Sequence, residues 1–148
     1  MTQALDNVIT QIVTILREVN GIDSVPLNPP NIVSYPTFGL VYPSSGNIVA
    51  TPTGTRRSLH NIAIDVLTKE LDIARSIGRL RPLIDSVPIP LIAQVSYDSG
   101  GNPGGQFNNT IETFEEITYN WIPLTDYGGV PVVGLHFMMT NAKIMVNL

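Results

Sequence analysis

His60, Asp65 and His136 are the residues that most invite a chemical reading, and all three fall on stretches that alternate as strands do. Together they could supply a general base or part of a metal site. Their spacing matches no ligand motif, so two separate strand histidines are the plainer expectation. The glycines at 100, 101, 104 and 105 surround Asn102-Pro103. No Lys-Ser/Thr pair and no helix follows them, so they do not form a phosphate-binding loop. Asn108-Asn109-Thr110 matches a glycosylation sequon, but the first residues lack a secretory pattern, which gives the match no context. The chain has no cysteine, which excludes disulfides and thiolate metal ligation. The residues therefore point to no catalytic or metal site and to no cofactor.

The elements that would carry these residues centre on 57–88. Residues 57–68 alternate, with His60, Ile62, Ile64 and Val66 on one face and Asn61, Ala63 and Asp65 on the other. The period then lengthens. Leu71, Ala74, Ile77, Leu80 and Ile84 form a helical stripe, with Thr68 as its cap and Arg75, Arg79 and Arg81 late in the helix. Gly78 and Pro82 predict a kink near Arg79 and a second helical piece at 83–86. Ahead of this nucleus, Leu5, Val8, Ile9, Ile12, Ile15, Leu16 and Val19 predict a helix over 3–19, stopped by Asn20-Gly21. Proline-rich 25–36 is extended and leads to a short strand at 37–42, which Pro43-Ser44-Ser45-Gly46 ends as a turn. Residues 47–55 read as a strand or an edge loop.

Downstream, 91–97 alternate as a strand, 98–109 form a glycine-rich loop that cannot order itself, and 110–122 alternate again, interrupted at Glu115. These predict a long hairpin with a mobile tip over 91–121. Tyr127-Gly128-Gly129 is a turn, and 132–146 form a last strand bent at Thr140-Asn141. The expected fold is α+β in a single domain over residues 1–148. Its mixed, mostly antiparallel sheet is packed by the N-terminal and central helices and carries a long β-hairpin.

Length and composition bound the function. A chain of 148 residues suits one domain with a real core. Only 14% of residues are charged, so much of the surface is neutral or apolar, as in subunits that bury surface against copies. The net charge of −4 and a pI near 4.9 disfavour tight nonspecific DNA binding. No apolar run is long enough for a membrane span, and synthesis in the cytoplasm is expected.

The charges are segregated. Of eight basic residues, Arg56, Arg57, Lys69, Arg75, Arg79 and Arg81 lie in one stretch, while Asp85, Asp98, Glu112, Glu115, Glu116 and Asp126 follow it. One reading is ordinary solvated surface; the other is a basic face that meets an acidic face on the next copy. On the second reading the inter-subunit candidates are Arg56, Arg57, Arg75, Arg79, Glu112, Glu115 and Glu116. Tyr119 and Trp121, on an apolar strand face with Ile111 and Ile117, complete the set.

The order of parts carries a resemblance. An N-terminal amphipathic helix leads through Tyr35-Pro36 to a short strand, a turn and a long strand over 58–67. A helix with Pro82 near its end, then Ser86-Val87-Pro88, a strand, a long loop and a C-terminal strand follow. Over nearly the whole chain this resembles the tail terminator and tail-to-head joining proteins of long-tailed bacteriophages. The resemblance implies a ring, usually of six subunits, on the head-proximal end of the tail tube. Such a ring stops tube polymerisation and meets the head connector or stopper protein, with genomic DNA only passing through its lumen. It implies a virion protein at the tail–head junction, with no enzymatic activity and no cofactor. The glycine-rich loop and the stretch 110–121 look longer than in compact members of the family. Two alternatives stand beside it: a neck or head-completion adaptor, other connector-complex protein or baseplate component of similar fold, or a small hydrolase or metal-dependent enzyme built on His60, Asp65 and His136.

Overall fold

The computed structural model describes residues 4–30, 35–50, 56–69, 72–95, 107 and 110–144, with backbone alone at 4, 50, 56 and 57. The elements run α1 (Ala4–Leu16), β1 (Thr37–Ala50), β2 (Arg56–Thr68), α2 (Ile73–Leu80), α3 (Leu83–Ser86), α4 (Pro88–Ala93), β3 (Ile111–Thr113), β4 (Glu116–Tyr127) and β5 (Val130–Ile144). The fold is α+β. The sheet runs β1-β2-β5, and β3 and β4 share the far side of β5. All strand pairs are antiparallel; one parallel bridge, Ser24 to Phe38, makes the sheet mixed.

The core follows from the β2–β5 register. Ile62, Ile64 and Val66 stand opposite Met139, Phe137 and Leu135, and all six are buried on the face that carries the helices. Val8, Ile9, Ile12, Val13 and Leu16 of α1 close over them. A smaller apolar cluster, Phe38, Leu40, Leu67 and Val132, lies on the opposite face. There the Tyr127 hydroxyl donates to the Pro30 carbonyl at 3.0 Å, and its ring tilts against Phe38 at 5.4 Å.

The helical region after β2 matches the expected kink, but its buried stripe is displaced. Asp72, not Thr68, caps α2 and accepts from the Arg75 amide at 3.2 Å; Thr68 is buried beside Thr37. The residues facing inward are Ser76, Leu80, Leu83, Val87 and Leu91, spaced by threes and fours through three short helices. Ile77 is exposed, Ala74 is exposed, and Leu71 lies outside the described residues. The cause is register: a stripe through Ser76 lies about 100° from one through Ile77, and Leu83, Val87 and Leu91 are the continuous apolar series.

Two strand assignments change as well. Residues 91–97 do not begin a strand: α4 covers Pro88–Ala93, with Pro88 in its first turn, where a missing N–H costs nothing. Period two over a few apolar residues cannot separate strand from buried helix. Among the described residues the expected hairpin over 91–121 therefore does not form, and the long hairpin is β4–β5. It turns at Gly128 (φ 57) and Gly129 (φ 86) between paired Tyr127 and Val130, the primed geometry that follows strand twist. The second change is at β1, which does not stop at Tyr42. A bulge between Pro43 and Ser45 absorbs the turn-like sequence, and pairing continues to Ala50 opposite Arg56.

Of the glycine-rich loop, the described residue Phe107 is buried at φ 55 and meets the Phe114 ring edge-on at 6.4 Å. The rest of 98–106 and 108–109, with the expectation of mobility, lies outside the described residues. The bend at Thr140-Asn141 is a bulge on β5 opposite Asn61, with Asn141 at φ 52.

Two substitutions test this packing. Ile64→Asp places an unpaired charge in the β2–β5 core and is expected to cost several kcal/mol in urea unfolding. Gly134 opposes Leu67 so closely that an added Cβ would lie 2.2 Å from the Val66 carbonyl oxygen. Gly134→Ala is expected to cost about 1–3 kcal/mol. Unchanged midpoints in both would contradict the register.

Candidate functional site

The strands sort the charged and polar residues into three places. The first is the helix-free face. Asp65 on β2 is opposite His136 on β5, and their Oδ1 and Nδ1 atoms lie 2.5 Å apart. The Tyr42 hydroxyl donates to Asp65 Oδ2 at 2.8 Å. Both Asp65 oxygens are thus engaged, one by the Tyr42 hydroxyl and the other by the His136 ring. Burial, then the hydrogen bond to Asp65 and the negative charge behind it, push the Tyr42 phenol up to about 12. Burial raises Tyr127 too.

This clasp joins three strands, but it does not assemble the imagined catalytic set. His60 stands opposite Ala142 on the helix-bearing face, while Asp65 is on the other. The residue facing His136 from β4 is Asn120, which is neither hydroxyl nor thiol. Among the described residues no group of three His, Cys, Asp or Glu could hold a metal. The sequence placed Asp65 and His136 on strands, but only the register, across 71 positions, brings them together.

The second place is the acidic corner where β3 gives way to β4. The Glu112 carboxylate pairs with Lys143 Nζ at 3.1 Å. Asn141, at the β5 bulge, donates its side-chain amide to Glu115 and its backbone N–H to Asn61 Oδ1 at 3.0 Å. The Glu115 amide in turn donates to the Thr140 carbonyl at 2.9 Å. The bulge thus fixes this corner, and the interruption read at Glu115 is the β3–β4 break. Glu116 begins β4 and is exposed. Farther along β4, Tyr119 and Trp121 are 49% and 44% exposed. They share the helix-bearing face with Ile117, yet the core leaves them half uncovered.

The third place is the basic set, which the fold splits. Arg56 and Arg57 stand at the far end of β2, paired with Ala50 and Val49. Arg75 and Arg79 are on the exposed side of α2, which starts just past Thr68, the opposite end of the same strand. The basic stretch is therefore two separate patches.

The far halves of β1 and β2 form an arm, where the sequence left residues 47–55 open between a strand and an edge loop. Residues 43–49 of β1 are exposed throughout, with Ile48 at 62% and Val49 at 51%. The adjacent Ile48-Val49-Ala50 run was the available signal, masked by Pro43 and Gly46.

No protein-family model matches this chain, and no curated protein matches it.

The clasp gives a pH prediction. The folded chain retains the Tyr42 proton to about pH 12, whereas the unfolded chain releases it near its ordinary value of 10.0. The stability due to this group is whole below pH 10 and is lost as pH rises through 12. Tyr42→Phe is expected to flatten the fall in stability over that window and to remove the latest step from the phenolate absorbance titration. An unaltered slope and titration would mean that Tyr42 is not held by Asp65.

Proposed function

We propose that this chain is a structural ring subunit at the head-proximal end of a long-tailed phage tail tube, where it ends tube polymerisation and joins tail to head connector. The observation that carries this reading is the pair of unlike sheet edges. One edge is β1, exposed along residues 43–49 with Ile48 and Val49 uncovered; the other is β4, with Tyr119 and Trp121 half uncovered. Tyr119 and Trp121 are neighbours on one face of β4, and contiguous uncovered apolar groups of this kind mark interaction surfaces. Copies joined by unlike surfaces make heterologous contacts, which close into rings when the rotation allows. The phage setting rests on the likeness in order of elements to tail terminator proteins.

The same reading accounts for the composition. A subunit buried on two sides needs few solvating charges, and charged residues are 14% of this chain. A net charge of −4 also suits a lumen through which DNA slides, because a basic lining would grip phosphates. The partners on this reading are the chain itself, the tail tube protein and the connector or stopper protein, with genomic DNA in transit.

The experiment is tube growth. Tail tube protein from the same phage is polymerised with and without this chain at substoichiometric amounts, and lengths are measured by negative-stain microscopy. Tubes are expected to stop short, each with added density at one end. Unchanged lengths with bare ends would overturn the proposal.

A further inference from the structure

We infer that the β1–β2 arm of one copy seats on the β3–β4 corner of the next, so that Arg56 and Arg57, and not Arg75 and Arg79, supply the positive side of the contact. The inference rests on the ring reading above and specifies its joint. The occupant of the corner is a second copy of this chain, for two reasons.

The first is level. A ring about an axis roughly along the strands keeps each copy at one height, so matching surfaces must lie at the same height on opposite edges. β5 sets that height on both sides: Lys143 pairs with Leu59 toward the arm and with Thr113 toward the corner. Arg57 is two residues beyond Leu59 and Glu112 one residue from Thr113, so both sit within about 7 Å of the Lys143 level at the rise of a strand. Arg75 and Arg79 belong to a helix that starts past Thr68, which pairs with Val133 at the sheet's other end.

The second is charge around an apolar centre. The exposed half of β1 has no charged residue, and Arg56 and Arg57 end the strand beside it. The corner gathers three carboxylates, Glu112, Glu115 and Glu116, beside the single described cation Lys143, and Tyr119 lies beyond them on the same edge. Each surface therefore offers apolar side chains with a rim opposite in sign to the other. Charges placed this way fix register and speed docking more than they add affinity.

The absence of cysteine makes the test direct. Val49→Cys and Thr113→Cys are combined in one chain, and oxidation or a short bismaleimide is applied after native mass has established the oligomer. A covalent ladder rising to the copy number of the ring is expected from the double variant, with nothing beyond dimers from either single variant. A ring of normal mass without a ladder would overturn this joint and leave the ring reading standing. A monomeric wild-type chain would overturn both. Cross-linking to added tube protein instead of to itself would also overturn the joint. If the cysteine pair prevents folding, charge reversal decides. Arg56→Glu/Arg57→Glu is expected to raise the midpoint concentration of assembly about tenfold, and Glu112→Lys/Glu115→Lys in the same chain to restore it. Failure of that restoration, or an equal effect from Arg75→Glu/Arg79→Glu, would refute the pairing.

Discussion

The pairing of β2 with β5 is the interaction on which the rest depends. These strands are far apart in sequence, and each belongs to its own hairpin. Their contact joins β1–β2 to β4–β5 in one sheet and sets Ile62, Ile64 and Val66 against Met139, Phe137 and Leu135. A slip of one residue would carry the three of one strand to the other face and leave the three of its partner behind. It would also separate Asp65 from His136 and move Glu112 out of level with the arm. Gly134 allows the close approach of β5 to Leu67 that this register needs. Asn141, in the left-handed region, accommodates the one irregularity in it.

That single pairing also gives the chain its asymmetry. On one face the helices cover an apolar core; on the other a hydrogen-bonded clasp of Tyr42, Asp65 and His136 spans three strands. The edges differ just as much. The β1 edge is guarded near its start by Ser24, which accepts from the Gly39 amide at 2.8 Å, and is exposed farther on. Along the β4 edge, Pro123 marks an irregular stretch between Ile122 and Thr125, a feature that limits indiscriminate strand pairing. Such edges favour docking through side chains at fixed places over open-ended sheet growth, which is what a closed ring requires.

Much of the fold was legible in the sequence because local periodicity reflected real burial. The alternation around Ile64 placed β2 and both its faces correctly, and the Pro82 kink divided α2 from α3. Where the reading failed, the local signal was ambiguous or weak. Leu91, Ala93 and Val95 alternate, yet Leu91 ends a helical stripe that begins at Ser76, a polar residue no hydrophobic pattern would include. Pro43 and Gly46 spell a turn, but a bulge lets β1 run on to Ala50. For the candidate site, Glu112, Glu115 and Glu116 follow from the segregation of charge and Tyr119 and Trp121 from an apolar strand face, and the structure sets them along one edge. That Arg56 and Arg57 stand level with that edge while Arg75 and Arg79 do not depends on long-range register, which no local pattern holds.

Native mass measurement of the purified protein is the direct test of whether this chain closes on itself through unlike surfaces. The expected result is one dominant closed species at micromolar concentration, a fixed multiple of the 16.1 kDa chain, with six copies on the tail terminator reading. A population of monomers alone, or a two-fold dimer with the same edge on both sides, would contradict it.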